Sequence, residues 1–291
     1  MRPAFTFALV LAAASLTLSG SLAAQDFHFP KTVEAGSAFT VPTTGSGKAT
    51  LYVVGPSDVL KKPVELGEKI AFDHNDLSNA GHYTAFLVGS SSPEAVDFDV
   101  TSSPQAATLS FLAKPSRLPV DLPNGISGVV YVFDTFRNLI VQPTPVSFQL
   151  SGTSSAAENR KAETRDGVAW VKINSAPRSG SAQFEASAGG LTAKRIIEQV
   201  PGEPCNLRMS ARPMGDRIAL ETEPVRDCSG NPVPDGTIVT FIEKYNGSEA
   251  TVDAPLKRGV AKTDLPAFNG AVISVAAGVV MGNEIRWQGG K

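Results

Sequence analysis

The stretch Pro224–Phe241, PVRDCSGNPVPDGTIVTF, indicates the fold of this chain. It contains two clusters of turn residues, SGNP and VPDG, ahead of Thr237–Phe241, which alternates as a half-buried strand does. The same order of signals occurs earlier, from Asp134 to Phe148, and in both copies the aspartate precedes the phenylalanine by fourteen positions. The sequence therefore predicts a duplicated β-module, with its two copies offset by about 93 residues.

The composition favours a folded β-protein over a helical or nucleic-acid-binding one. The chain has 21 prolines and 26 glycines, and these residues interrupt helices and mark turns. A hydrophobic fraction of 42% is enough for packed cores. The 26 basic and 28 acidic residues leave a net charge of −2, which argues against a nucleic-acid partner because phosphate binding needs a basic face.

The first 24 residues have the pattern of a secretory signal peptide. A positive start at Met1–Pro3 precedes the apolar run Ala4–Leu18 and the small residues Ser19–Ala24. An uncleaved anchor is the alternative interpretation. No second long apolar segment follows, so the sequence predicts no transmembrane segment in the mature chain. The expected location is outside the cytoplasm, with the protein secreted, periplasmic or at the cell surface.

Strand and turn signals recur about every ten residues after the predicted signal peptide. We expect an all-β fold of three tandem immunoglobulin-like β-sandwiches, at residues 25–103, 104–202 and 203–291. In the first, Tyr83 follows Gly81 at the start of an alternating strand, which resembles the tyrosine corner of immunoglobulin-like sandwiches. The polar segment Ser151–Arg165 is predicted to be a connecting loop.

The two cysteines of the chain, Cys205 and Cys228, both lie in the third predicted sandwich. In an oxidising compartment such a pair forms a disulfide most simply. Metal and redox pairs need closer spacing, such as C-x-x-C, which is absent. The closed loop would stabilise the fold by roughly 3 kcal/mol.

No set of residues in the sequence predicts catalysis, a cofactor or a metal site. His74 and His82 lie near Asp73 and Asp76, but their spacing is a weak zinc signal, and exposed polar residues explain it better. The second and third modules contain no histidine, the commonest general base.

The two repeated aspartates, Asp134 and Asp227, allow two interpretations. Calcium would need six to eight oxygen ligands, and one aspartate with the turn residue Asn231 does not supply them. The favoured interpretation is a turn in which the carboxylate accepts backbone N–H bonds. For the two tryptophans, Trp170 and Trp287, packing in a core or between domains is favoured over a sugar-binding platform.

The order of signals resembles the group 1 bacterial immunoglobulin-like repeat of invasin- and intimin-type surface proteins. The matching positions in the third module are Asp227, Gly230–Pro234, Val239, Phe241, Gly259 and Ala261. The second module departs from the pattern, with Arg137 in place of the glycine and Leu139 in place of the proline. The resemblance covers about two thirds of the mature chain and implies an exported rod of sandwiches.

The function expected from these features is adhesion or spacing in the cell envelope, without catalysis. The partner would be a protein or a cell-surface glycan, bound through a sandwich loop or an exposed edge strand. Two alternatives stay open: a secreted or periplasmic carbohydrate-binding accessory module, and a hydrolase. The first predicts aromatic side chains on one exposed face, and the second predicts convergent carboxylates or histidines in a cleft.

Overall fold

The computed structural model describes residues 27–89, 95–152 and 157–289. The predicted signal peptide, residues 1–24, lies outside these ranges. The described residues form an all-β fold, and none of their segments is a helix that could cross a membrane. The chain divides between Thr101 and Ser102 into two compact units.

The first unit is a sandwich of a five-stranded and a two-stranded sheet. The five-stranded sheet has the order β1-β7-β6-β3-β4, in which β1 and β7 are parallel, and the other sheet pairs β2 with β5. Its strands are β1 (Thr32–Glu34), β2 (Phe39–Pro42), β3 (Gly47–Val54), β4 (Val59–Leu66), β5 (Lys69–Phe72), β6 (Gly81–Val88) and β7 (Val96–Thr101).

Aromatic rings fill the core of the first unit. Phe29 packs against Phe27, Phe39, Phe72 and Phe98, and its ring centroid lies 4.6 Å from that of Phe98. Aromatic pairs of this kind add stabilisation beyond the area that they bury. The alternating burial of β3 and β6 points every second side chain into this core, as a half-buried strand requires.

The second unit begins with a sandwich of a three-stranded and a five-stranded sheet. Their orders are β13-β10-β8 and β12-β11-β14-β15-β9. The strands are β8 (Thr108–Lys114), β9 (Arg117–Pro119), β10 (Ile126–Phe133), β11 (Pro145–Gly152), β12 (Glu158–Glu163), β13 (Val168–Ile173), β14 (Gly180–Ala188) and β15 (Leu191–Val200). The inward side chains of both sheets form one core around Phe111, Phe148 and Phe184.

A second sandwich with its own core follows in the same unit. It has the sheets β17-β18-β22 and β21-β20-β23-β24 and the short pair β16-β19. The strands are β16 (Pro204–Cys205), β17 (Met209–Met214), β18 (Arg217–Thr222), β19 (Arg226–Asp227), β20 (Ile238–Tyr245), β21 (Ser248–Pro255), β22 (Lys262–Pro266), β23 (Val272–Ala277) and β24 (Val280–Arg286). Strands β20 and β21 form a hairpin through Asn246–Gly247, where both φ angles are positive.

The repeat seen in the sequence has a structural counterpart in these two sandwiches. Strands β11 and β20 are each eight residues long, and their bounds differ by 93 positions, as do Asp134 and Asp227. Phe148 and Phe241 are the fourth residues of these strands, and both are buried. The same sequence pattern therefore produces the same strand and the same inward aromatic twice.

One sequence prediction of local structure is wrong. Within the segment predicted as a loop, Ser151–Arg165, the residues Glu158–Glu163 form strand β12. Among the described residues this strand is at the edge of its sheet and pairs only with β11. An edge strand tolerates charged side chains on both faces, so the sequence ENRKAE lacks the apolar alternation by which strands are recognised.

Close packing in the first sandwich of the second unit requires a glycine at residue 128. A Cβ there would lie 2.7 Å from the ring of Phe184 and 3.2 Å from that of Phe111. The two rings themselves pack edge to face, with centroids 5.1 Å apart. Gly128 thus lets the facing sheet approach β10 closely.

We expect the substitution Gly128→Ala to lower the free energy of unfolding by about 1–3 kcal/mol, because the added methyl group overpacks the core. Chemical denaturation measures this change. Gly202→Ala is the matched control, since a Cβ at Gly202 makes only ordinary contacts, the nearest being 3.8 Å from the Cβ of Asp227. Equal stability losses in the two variants would contradict this account of residue 128.

Candidate functional site

Asp227 is a buried carboxylate in the short strand β19 of the third sandwich, and hydrogen bonds surround it. Its Oδ1 accepts the backbone N–H groups of Ser229 at 3.0 Å and Asn231 at 2.7 Å, and its Oδ2 accepts that of Gly202 at 2.9 Å. The Asn231 side chain also donates to Oδ2 at 3.0 Å. This is the carboxylate turn that the sequence predicts, extended by a bond to the linker that precedes the sandwich.

Two opposing effects set the pKa of Asp227. Burial acts to raise it, but the hydrogen bonds from Gly202, Asn231 and Ser229 outweigh burial and hold the pKa below its ordinary value. The carboxylate is therefore ionised at neutral pH, and its charge stabilises the turn that donates to it.

Asp134 has the same arrangement one repeat earlier. Its Oδ1 accepts the N–H groups of Phe136 at 2.9 Å and Asn138 at 2.8 Å, and its Oδ2 accepts that of Ser103 at 3.1 Å. The turn residue Arg137 has a φ of 69°, close to the 82° of Gly230 in the later copy. The second module thus keeps the left-handed turn although a side chain replaces the glycine.

Asn231 joins the two sandwiches of the second unit. Its Oδ1 accepts the N–H of Ser179 at 3.0 Å, and its Nδ2 donates to the carbonyl of Pro177 at 2.9 Å, both in the loop before β14. A second contact is a hydrogen bond from the Ser229 hydroxyl to the carboxylate of Asp121. Asn231 is only 4% exposed, so water competes little with these bonds.

The disulfide Cys205–Cys228 lies beside this junction. It closes a loop of 23 positions and links β16 to the residue that follows Asp227. Strand β16 also pairs with β19, which contains Asp227. The linker after the second sandwich is therefore held to the turn by a covalent bond and by the Gly202 hydrogen bond. We define Gly202, Asp227, Asn231 and the disulfide as the junction site.

Tyr83 forms the corner that the sequence predicts in the first unit. Its hydroxyl donates to the carbonyl of Asn79 at 2.8 Å, four residues upstream, while its ring is buried. Burial, together with the nearby charge of Asp58, raises the pKa of Tyr83 to about 12. Gly55 leaves room for the ring, because a Cβ there would lie 2.2 Å from it.

His74 and His82 of the first unit contact different groups and do not share a site. The His82 ring lies on an open sheet face, with Nδ1 3.0 Å from Asp99 and Nε2 3.8 Å from Asp97. His74 contacts the carbonyl of Gly36 at 2.8 Å, whereas Asp76 pairs with Lys62. No three His, Cys, Asp or Glu side chains of the described residues converge as a metal site would require.

The burial of one carboxyl group, that of Glu243, was not predicted from the sequence. Glu243 lies on the core side of β20 and is 4% exposed, and its Oε1 has no hydrogen-bond partner among the described residues. Burial raises the pKa of this group. Glu243 lies between Phe241 and Tyr245 in the alternation of β20, and this position in the sequence could have indicated that its side chain points inward.

The two tryptophans have different environments. Trp287 is 9% exposed and belongs to the core of the third sandwich, as expected. The expectation for Trp170 is wrong, because 66% of this residue is exposed on β13. Its neighbours Ala169 and Val171 point inward instead. In the run VAWVKI, Lys172 shares a face with Trp170 and marks that face as outward, which was the available signal.

We expect Asp227→Asn to lower the free energy of unfolding at pH 7 by roughly 2 kcal/mol, because the amide cannot accept all of the carboxylate's bonds. A lowered pKa means that this stabilisation is present above the unfolded pKa of about 3.9 and is lost as the pH falls through the folded value. Denaturation at pH 7 and pH 3 should thus show a smaller difference at pH 3. The exposed Asp216→Asn is the control, and a loss of equal size there would contradict the assignment.

The raised pKa of Glu243 gives the opposite pH dependence. Glu243→Gln should increase the free energy of unfolding at pH 7 by roughly 1 kcal/mol, because an unpaired buried charge is removed. The wild-type group binds its proton more tightly when folded, so the advantage of the glutamine variant should vanish below about pH 4. Thermal unfolding at both pH values measures this, with the exposed Glu284→Gln as control. Destabilisation at pH 7 would show that the carboxylate has an undetected partner.

Comparison with known proteins shows the fold. No family model matches the chain, and no curated protein matches it. Among solved structures it is similar to the Escherichia coli adhesin FdeC, with a TM-score of 0.59 and 16% identity over 89% of this chain and 95% of that one. Three FN domains of chicken contactin align with a TM-score of 0.35 and 12% identity over 87% of this chain and 93% of that one. Because the identity to FdeC is only 16%, this similarity shows the fold alone, which is immunoglobulin-like.

Proposed function

We propose that this chain is an exported adhesion or spacer module of the cell envelope that acts by surface contact and without catalysis. The observation that carries the proposal is the junction site, where Asn231 and Asp227 connect two successive sandwiches. A spacer has to hold its domains in a fixed order and direction, and buried hydrogen bonds at the joint supply that restraint.

Two further observations support this function and location. The disulfide is typical of proteins that mature in an oxidising compartment. FdeC, which has a similar fold, is described as an adhesin. We also infer that the two repeated sandwiches are of the invasin and intimin type, since Asp227 and Asn231, which match that pattern, are the residues that form the junction.

Catalysis is not part of the proposal because the carboxyl groups whose pKa is lowered have structural roles. Asp227 holds its turn, and Asp235 accepts the N–H groups of Arg258 and Gly259 at 2.8 and 2.9 Å, which lowers its pKa. Asp76 pairs with Lys62, and Glu221 with Lys262. Carboxyl groups tuned for catalysis would share a cleft with a nucleophile or a second acid.

We expect Asn231→Ala to loosen the junction without unfolding either sandwich. The amide of Ser179 loses its acceptor, so its hydrogen exchange should become about tenfold faster, which corresponds to about 1.4 kcal/mol. Residual dipolar couplings should report one common alignment for the two sandwiches in the wild type and two different alignments in the variant. Asn174→Ala removes a comparable bond, to the N–H of Asn124, within one sandwich. This control should leave the alignment unchanged, and a change as large as that of Asn231→Ala would contradict the role of the junction.

The function itself is tested in the source organism. Fractionation and antibody labelling of intact cells should place the protein outside the cytoplasm, with Cys205 and Cys228 oxidised. A strain that lacks the protein should adhere less well to host or abiotic surfaces, and full-length protein should restore adherence. A cytoplasmic protein with free thiols, or unchanged adherence in the deletion strain, would overturn the proposal.

A further inference from the structure

The outward face of the sheet β13-β10-β8 is an exposed apolar surface. In its middle row, Trp170 on β13 and Leu112 on β8 are paired on either side of Val129 on β10. Trp170 is 66% exposed and Leu112 is 49% exposed. The next row contains Val168, Tyr131 and Ser110. We call the outward residues of these three strands the Trp170 face.

The Trp170 face has a basic end and no acidic side chain. Lys114 and Lys172 are paired on either side of Ser127, one row away from Trp170. The outward positions of the three strands include no aspartate or glutamate. Neither lysine forms an ion pair within the described residues. The face therefore offers two free cations to an anionic partner.

A rigid core supports this face from behind. The central strand β10 rests on Phe111 and Phe184, and Gly128 brings the Phe184 ring directly under the strand. Strands of a sheet hold their outward side chains at fixed spacings, about 7 Å between successive rows. The aromatic ring and the lysines are thus presented in a preorganised arrangement, which lowers the entropic cost of binding.

The area of the Trp170 face limits the class of partner that it can bind. The strands β8, β10 and β13 have 7, 8 and 6 residues. At a strand spacing of about 4.8 Å they give a face of roughly 350 Å². A stable protein interface needs about 800 Å² on each partner, so this face is too small for one. A run of a few sugar rings fits it. The C–H side of a sugar ring packs well against the negative face of an indole ring.

We propose that the Trp170 face binds an acidic oligosaccharide, with a sugar ring on Trp170 and its carboxylate or sulfate on Lys114 and Lys172. The inference rests on the proposed function and names its partner: a glycan that carries negative charge. Leu112 and Val129 extend the apolar floor beside the tryptophan, and Ser127 supplies a hydroxyl between the two cations.

Isothermal titration with the full-length mature protein tests this inference. The acidic probes are hexagalacturonate, sialyllactose and a heparin hexasaccharide, and the controls are a dextran hexasaccharide and hexaglutamate. At least one acidic saccharide should bind, and both controls should bind at least tenfold more weakly. Binding should also change the fluorescence of Trp170, which can be distinguished because Trp287, the other tryptophan, is buried.

Matched variants assign the binding to the face. Trp170→Ala and the pair Lys114→Gln with Lys172→Gln should each weaken binding tenfold or more. Two control variants should bind like the wild type: Ile196→Ala, an exposed apolar residue of the other sheet, and the pair Lys161→Gln with Lys257→Gln, which removes two exposed lysines elsewhere. Melting temperatures confirm that each variant is folded.

Three titration results would overturn the inference: no binding of any acidic saccharide, equal binding of hexaglutamate, or unchanged binding by Trp170→Ala. The adherence assay separates this inference from the proposed function. If the Trp170→Ala protein restores full adherence to the deletion strain, the glycan site is refuted and the adhesive function stands. If the wild-type protein confers no adherence, the proposed function fails, and the titrations alone decide on the glycan site.

Discussion

The second unit depends on one requirement, which is that the buried and ionised carboxylate of Asp227 must have its oxygens satisfied by hydrogen bonds. Asp227 meets this requirement with its own turn and with the N–H of Gly202 in the preceding linker. Because the linker donates one of these hydrogen bonds through Gly202, its path is fixed together with the turn. The disulfide joins the same linker to the turn, and Asn231 holds the turn to the preceding sandwich.

Much of the fold could be predicted because its signals are local. Turn residues and alternating strands identified the repeat. Asp227 indicated the carboxylate turn, and Cys205 and Cys228 indicated the disulfide. The partners of Asn231 could not be predicted, since Pro177 and Ser179 lie more than fifty positions away and reach it only through the tertiary fold. Strand β12 could not be predicted because its edge position allows charged side chains on both faces, and its sequence ENRKAE has no apolar alternation.

The environment of Trp170 shows a second limit of sequence patterns. Trp170 is the largest apolar side chain of β13 and is easily assigned to the core, although Lys172 on the same face indicates that this face is outward. In β13 the inward residues Ala169, Val171 and Ile173 belong to the core that contains Phe111 and Phe184, and the indole lies on the opposite face. The face of β13 that joins the core is the one without Lys172, and Trp170 stays exposed with this lysine.

The carboxylates also bear on how such chains grow in evolution. Asp134 accepts a hydrogen bond from the N–H of Ser103, and Asp227 accepts one from that of Gly202. Each of the two sandwiches therefore holds the linker immediately upstream of itself. A gene segment that encodes one sandwich and its upstream linker therefore also encodes this fastening. Tandem copying of the segment lengthens the protein by one domain that brings its own linker attachment, before any new interface has been selected.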